Sequence, residues 1–480
     1  MVGHDRLIMA RLGKTGRAAA TYLVLAGLQR GVSLLILPFI SHAMSPDEFG
    51  AASMLTATSM LMIMIVAGPF IQLVIRATAR GEEDGPALVR VAGTYCYVLL
   101  PAAVALAATA VAVFVPEFLG VAGFIWGIEL LAIGLLPAAT VFALSVAQAR
   151  EDLARFVWLS STSVLATAAS KLVLVVVLQM GVLGWALSDL FSASLAAVVA
   201  ISLVRLPGAR VAPNNVRSAL RFIVPLIPHS AALWALTSLS RPAMAAVSTL
   251  DQVGLLAFGL SLASVANLVL AEINRAVLLR YSRETFPAPT GETVALVRWQ
   301  LVAAFAVPAV VGSGVAIAGK WIFAEAYWPS FALTGTLLIG QAAYGLYLIP
   351  MNYLTQTAGL PKYSALASGA GAALILVSIL VLGQKYGAAG VAYATAAGYL
   401  TMAAVALSLT KVLKLDVAWR TWLTHWPEVV LGAAALTCSV VALASPVGTA
   451  FGWTLSGACL VLTLSAVFLT ARRSQPGGSK

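Results

Sequence analysis

Long apolar runs separated by short polar stretches dominate this chain of 480 residues. A helix that crosses a bilayer needs about 20 mostly apolar residues. Fourteen runs meet that length: 18–43, 50–75, 91–114, 123–147, 157–179, 184–204, 222–247, 254–279, 299–319, 331–357, 364–383, 388–410, 427–445 and 449–470. Pro38, Pro69, Pro101, Pro225 and Pro350 fall inside them. In lipid this is tolerable, because neighbouring helices re-satisfy the backbone groups a proline frees. The pattern predicts an all-α, polytopic membrane bundle of about fourteen transmembrane helices.

Composition agrees with the pattern. Hydrophobic residues make up 61% of the chain and charged residues 10%. Soluble domains run near half apolar and a quarter charged, so lipid must solvate much of this surface. The net charge of +11 would raise the question of nucleic acid in a soluble protein. Here its placement points elsewhere, and no nucleic-acid partner is expected. With the N-terminus in the cytoplasm, the inside segments hold 23 Lys and Arg. The outside loops hold two, Lys320 and Lys385, and four lie within spans. That asymmetry is the positive-inside rule. Dropping one early span would invert every later loop and destroy it. The expected placement is a bacterial inner membrane, with N- and C-termini cytoplasmic.

The basic start, with Arg6, Arg11, Lys14 and Arg17 before an apolar run, is like a signal-peptide n-region. The run that follows is too long for a typical h-region and carries Gln29 and Arg30. It reads as an uncleaved first span. Cys96, Cys438 and Cys459 sit in apolar stretches. Their number is odd and their spacing is not that of metal ligands, so they read as small buried hydrophobes. No metal and no cofactor are expected.

Three local patterns recur at nearly one offset. Asp47-Glu48-Phe49-Gly50 is matched by Asp251-Gln252-Val253-Gly254, 204 residues later. Gln148 with Arg155-Phe156 is matched by Gln356 with Lys362-Tyr363, at 207 or 208. Gly181-x-x-Gly184-x-Ala186 is matched by Gly387-x-x-Gly390-x-Ala392, at 206. Six spans therefore look duplicated in parallel orientation, an arrangement known from transporters that rock around a central cavity. The expected organisation is a cytoplasmic N-terminus at 1–17, an N-lobe of six spans at 18–204 and a linker at 205–221. A C-lobe of six spans follows at 222–410, then a loop at 411–426, two extra helices at 427–470 and a tail at 471–480. Pro207-Gly208 and Pro213-Asn214-Asn215 read as breakers in the linker.

These residues resemble a family. Ser45-Pro46-Asp47-Glu48-Phe49-Gly50 is similar to an element after the first span of polysaccharide flippases. Pro225-Leu226-Ile227-Pro228, the stretch from Arg241 to Gly254, Gln356 to Lys362 and Tyr386 to Ala392 are similar in order and place. The chain resembles the Wzx-type branch of the multidrug/oligosaccharidyl-lipid/polysaccharide (MOP) exporter superfamily. The resemblance implies a two-lobed bundle that flips a lipid-linked glycan, an undecaprenyl diphosphate oligosaccharide, for surface polysaccharide, exopolysaccharide or lipopolysaccharide biosynthesis. The partners it implies are that lipid-linked oligosaccharide, membrane lipids, H+ or Na+ as coupling ion, and other polysaccharide-assembly proteins.

Charges inside spans carry the candidate chemistry. A charge at mid-bilayer costs about 2.5–3.5 kcal/mol on insertion scales. Arg30 lies midway along the first span and Lys171 deep in the fifth. Both read as lining of a cationic cavity for substrate, with an ion pair to Glu129 or Asp189 as the alternative. Arg241 and Arg275 lie nearer span ends and either join that cavity or snorkel. Glu272 sits at i,i+3 from Arg275, within pairing reach. Glu129 and Asp189 read as a solvated rim or as carriers of a coupling ion. His229 reads as packed or as a proton relay. Arginine suits a diphosphate because its planar fork of donors matches phosphate oxygens. Trp234, Tyr344, Tyr347 and Tyr353 are candidate sugar contacts, although aromatics also serve core and interface.

Two rivals remain open. A cation-coupled multidrug exporter of the same superfamily would carry an acid in its first span, where this chain has Arg30. A membrane glycosyltransferase or polymerase would use Asp47 and Glu48 in the first outer loop. Against that, Ser45 suits an N-cap and Pro46 the first helical position, which places both acids in the first turn of the second span. No nucleophile motif, phosphate-cradling glycine loop or metal cluster is present. A transporter, not an enzyme, is expected.

Overall fold

A computed structural model of the protein describes residues 31–32, 34–80, 83–227, 234, 238–283, 291–414 and 426–473. Among them, eleven helical stretches are long and apolar enough to cross a membrane. The protein is thus a multi-pass membrane protein. The stretch Lys362–Val412 is one of the eleven, yet it contains two helices. Gly387 breaks it at φ 56°, and a Cβ on Gly371 would lie 2.8 Å from Gly398 O. The two halves therefore fold back on each other as a hairpin. Residues 18–30 and 33 of the expected first span, and 228–233 and 235–237 of the seventh, lie outside the described residues. The helix Leu34–Ala43 is the described part of the first.

The spans differ in what surrounds them. Gly85–Phe114 is mostly unburied, whereas most of Gly123–Ala149 is buried inside the protein. Leu106, Phe114, Val177 and Leu464 are exposed. Such apolar surface is stable only against lipid chains.

Several helix ends depart from the sequence expectation for physical reasons. The second span is interrupted. One helix runs Pro46–Val66 and a second starts at Pro69, because Pro69 has no N–H to continue the ladder. Pro213-Asn214-Asn215, expected to break structure, instead starts the helix Pro213–Ile223. Pro213 takes the first helical position, where its missing donor costs nothing. Asn215 Oδ1 accepts from Ala212 N at 2.9 Å. Between the third and fourth spans, Glu117–Phe118 and Val121–Ala122 form a small antiparallel hairpin, so the loop there is not wholly irregular.

By compactness the chain divides into two units. One comprises Met1–Met44 and Met54–Trp234. The other comprises Ser45–Ser53 and Ala235–Lys480. The core of the first is a cluster around Phe70, Leu73, Phe142, Val146 and Leu159, with Cys96 buried in it. The second holds several smaller clusters, one around Tyr281, Leu301 and Tyr353.

The three repeated sequence patterns fold alike. Gly181 and Gly387 both take left-handed backbone, φ 53° and 56°, a conformation glycine adopts without penalty. Each follows a span that ends in a π turn, Leu172–Val177 in one copy and Ile379–Gly383 in the other. Glu151 and Gly359, 208 residues apart, are also left-handed. Within the second unit, Gly50 and Gly254 meet reciprocally. A Cβ on Gly50 would collide with Leu250 O, and a Cβ on Gly254 would collide with Pro46 O. Leu250 stands to Pro46 as Gly254 stands to Gly50, again 204 residues on.

The acids Asp47 and Glu48 have a structural place. Glu48 Oε2 accepts from Ser45 N at 3.0 Å and from Ser45 Oγ at 3.2 Å, the reaching-back half of a capping box. Tyr327 OH donates to Ser45 O at 3.1 Å. Phe49 packs edge-on to both Phe258 and Tyr327.

Candidate functional site

A buried ionic cluster occupies the first unit. It rests on four helices: Pro46–Val66, Gly123–Pro137, Leu153–Lys171 and Gly181–Leu203. Trp185 and Asp189 are four residues apart on the last of these, so they share a face. Lys171 closes its helix just before the π turn Leu172–Val177. Its ammonium reaches Asp189 Oδ1 at 3.1 Å and lies 3.5 Å from the centre of the Trp185 ring. Lys171 is 9% exposed. A desolvated cation held over a tryptophan face gains about 2 kcal/mol from the ring quadrupole.

Glu129 is buried more deeply, at 2% exposure. Its Oε1 accepts a hydrogen bond from Ser59 Oγ, while its Oε2 has no hydrogen-bond partner among the described residues. Asp189 and Lys171 lie close enough to act on it electrostatically. Trp185 Nε1 donates to Thr56 Oγ1 at 3.1 Å. The hydroxyls of Thr56 and Ser59, three residues apart on one helix, thus tie the second span to the sixth and the fourth.

Two carboxylates and one ammonium share this site. If all three are ionised, one negative charge is in excess. An uncompensated buried charge is among the costliest features a fold can hold. The site is therefore suited to take up a monovalent cation or a proton and to release it.

The cluster belongs to one copy of the repeat. At the offset of 206, Asp189 corresponds to Thr395 and Trp185 to Val391. At the offset of 204, Ser59 corresponds to Ala263. Thr395 Oγ1 satisfies itself on Val391 O at 2.8 Å. A feature needed only to build the lobe would be expected in both copies.

The second unit buries Glu428, paired with Arg473 Nη1 at 3.1 Å, and a network of neutral amides. Asn274 Oδ1 accepts from Gln300 Nε2 at 3.1 Å and from Asn352 Nδ2 at 2.8 Å. Tyr281 OH donates to Gln300 Oε1. Asn267 Nδ2 donates to Gln341 Oε1 at 3.1 Å.

The eight candidate residues from the sequence divide accordingly. Lys171, Asp189 and Glu129 come together, and Lys171 adopts the ion-pair alternative with Asp189. Arg275 Nη1 pairs with Glu272 Oε1 at 2.8 Å on one helix face, with Arg275 exposed. Arg241 sits half-buried in the helix Ser240–Ala245. Its Nε has no hydrogen-bond partner among the described residues. Arg30 and His229 lie outside the described residues. The candidate sugar contacts are largely interior. Trp234 Nε1 donates to Ala57 O at 2.7 Å, Tyr353 packs edge-on to Tyr281, and Tyr347 is 6% exposed.

Sequence reasoning missed Ser59, Thr56 and Trp185. The spacing of Trp185 and Asp189 on a helix face was available as a signal. Nothing local links Ser59 to Glu129, which lies 70 residues away.

Comparison with known proteins adds the following. The profile of a family described as polysaccharide biosynthesis protein matches residues 16–284, more than half of the chain. No curated protein matches the sequence. Among solved structures, the lipid II flippase MurJ in an inward closed conformation has a TM-score of 0.68 at 11% identity. That match covers 94% of this chain and 98% of that one. An inward-facing multidrug resistance MATE transporter of the MOP superfamily has a TM-score of 0.54 at 15% identity, covering 81% and 94%. The MATE transporter VcmN of Vibrio cholerae has 0.51 at 16% identity, covering 85% and 98%. At such identities the likeness is one of fold: the chain has the fold of MOP superfamily transporters.

Proposed function

The chain belongs to the polysaccharide biosynthesis protein family, and from that premise we propose that it is a flippase. It carries a lipid-linked oligosaccharide, on an undecaprenyl diphosphate carrier, from the cytoplasmic to the outer leaflet of the bacterial inner membrane. Both termini lie in the cytoplasm. Movement is by alternating access and is coupled to H+ or Na+. The protein is a transporter and performs no covalent chemistry.

The observation that carries the coupling is the Glu129–Lys171–Asp189 cluster with its one excess carboxylate. When Glu129 is neutralised, Lys171 belongs to Asp189 alone. When Glu129 is ionised, it competes for the same ammonium. The two states differ in where Lys171 is held, and with it the relation among four helices. A coupling ion that binds one state better shifts the population toward that state. Glu129 Oε2, without a hydrogen-bond partner among the described residues, is the atom at which the proton or ion is taken up.

Substrate charge is met elsewhere. The candidate cations for the diphosphate are Arg30, Arg241 and, once it leaves Glu272, Arg275. Arg241 offers a guanidinium whose Nε is uncommitted among the described residues. Arginine forks and phosphate oxygens match in geometry, and a low-dielectric wall strengthens each contact. Lys171, committed to Asp189, sets charge balance in the coupling site.

A strain lacking the protein tests the reading. Lipid-linked glycan accumulating in the cytoplasmic leaflet supports a flippase. Unchanged glycan with altered sensitivity to cationic drugs supports the exporter instead.

A further inference from the structure

Within the first unit, the helix Pro213–Ile223 lies beside the ends of two spans and leaves a groove of about 650 Å³. Its floor includes Phe70 and Tyr95, whose rings stack at 4.6 Å. Its outer wall is formed by Val216 and Leu220 of the helix and by Val224 just past its end, which are 40%, 50% and 53% exposed. Ala219 and Ile223, on the same side of that helix, also line the groove and are buried against the core. The groove is lined by apolar side chains with three polar exceptions, Arg90, Thr94 and Tyr95.

Arg90 marks the polar end. Its Nη1 donates to Pro207 O at 2.8 Å, which uses one of five guanidinium donors and fixes the cation at the rim. The segment 205–221 carries Arg205, Arg210, Arg217 and Arg221 and no acid. A smaller polar pocket alongside holds Arg76 and Asp84, with Arg76 stacked 5.3 Å from the Phe222 ring centre. From Arg90 the lining extends to Leu99, nine residues further along the span. At 1.5 Å per residue this is roughly 14 Å. One leaflet of a hydrocarbon core is about 15 Å deep.

We propose that this groove binds one anionic glycerophospholipid of the adjacent leaflet, its acyl chain in the groove and its phosphate on Arg90. Charge complementarity selects an anionic headgroup, because basic segments beside spans attract anionic lipid. The polar lining selects a phospholipid over the glycan-bearing substrate. One arginine meets one phosphate. Tyr95 OH is already spent on Val66 O at 2.8 Å, so only Thr94 remains for sugar. The bound lipid fastens the segment between the two repeats to the plane of the bilayer.

The test is native mass spectrometry on the purified full-length protein. It is titrated with phosphatidylglycerol, with phosphatidylcholine of the same acyl chains, and with undecaprenyl phosphate as competitor. The expected result is one retained phosphatidylglycerol per chain, bound about tenfold better than phosphatidylcholine, a difference of about 1.4 kcal/mol. Arg90→Gln removes that preference, Arg90→Lys keeps it, and Leu220→Trp abolishes the adduct. Leu220 projects into open space, so the larger side chain enters the groove and not the packed interior. If that variant does not fold, Val216→Trp replaces it. Equal binding of both phospholipids, adducts unchanged in Arg90→Gln and the Trp variant, or displacement by an equal concentration of undecaprenyl phosphate would each overturn the proposal. The readout involves no glycan movement, so its failure leaves the flippase reading standing.

Discussion

Lys171 Nζ lies 3.1 Å from Asp189 Oδ1 and 3.5 Å from the centre of the Trp185 ring. This contact changes what an intramembrane lysine means. As an isolated cation it would advertise an anion site. Held between a carboxylate and an indole, with a second carboxylate in electrostatic reach, it balances a cluster that is short of one positive charge.

The first prediction concerns that balance. Lys171→Met leaves two buried carboxylates without their cation and is expected to destabilise the protein by about 3–5 kcal/mol. Removing both partners, Lys171→Met with Asp189→Leu, is expected to recover most of that loss, because a buried pair is often replaceable by apolar groups of similar volume. Thermal unfolding in detergent reads both. Recovery of stability without recovery of glycan export separates the role in function from the role in folding.

The reciprocal glycine contact gives a second prediction. Gly50→Ala or Gly254→Ala forces a methyl into a backbone carbonyl of the facing helix. Overpacking of this kind costs about 1–3 kcal/mol or more. Gly457 meets nothing within 4 Å, and Gly457→Ala is expected to be neutral or slightly stabilising. Equal melting temperatures for all three variants would contradict the close approach.

A third prediction tests the neutral network of the second unit. Asn274→Leu removes the acceptor used by Gln300 Nε2 and Asn352 Nδ2. Each orphaned donor costs about 1–3 kcal/mol. The loss is expected to appear in the melting temperature, and Asn274→Asp, which keeps the acceptor oxygens, is expected to retain more of it.

The hairpin between the eleventh and twelfth spans supplies a fourth. Gln252 Oε1 accepts from Ala388 N at 3.1 Å, capping the helix that begins after left-handed Gly387. Gln252→Leu is expected to cost about 1–2 kcal/mol, as the loss of a good cap does. Gln252→Glu keeps an acceptor oxygen and is expected to stay near wild type. Hydrogen exchange at residues 384–390 distinguishes loss of the cap from general destabilisation.

Much of the fold was legible because lipid imposes a simple rule on the chain. Every span must be long and apolar, and that leaves a pattern visible without contacts. The repeat was legible where glycine is demanded by backbone geometry, as at Gly181 and Gly387, or by close approach, as at Gly50 and Gly254. The helix Pro213–Ile223 was misread because proline and asparagine serve both as breakers and as helix starters, and only the following amphipathic face separates the two. In the candidate site, the charges were visible as exceptions to an apolar background. Their pairing was not. Glu129, Lys171 and Asp189 sit on three helices, and periodicity within one helix carries no information about which others it faces. Ser59 and Thr56 were hidden for the same reason, since hydroxyls are common in membrane helices and most satisfy their own backbone, as Thr395 does.

In the proposed function, the buried cluster couples an ion to the movement of a lipid-linked glycan. The most direct measurement is the amount of that glycan reaching the outer leaflet in cells carrying Glu129→Gln at normal protein level, with the proton and sodium gradients intact or collapsed in turn. Outward glycan is expected to fall to the level of a deletion strain, or to leave a remainder indifferent to both gradients, while the wild type responds to one of them. Normal export in Glu129→Gln with the wild-type gradient response would contradict this coupling.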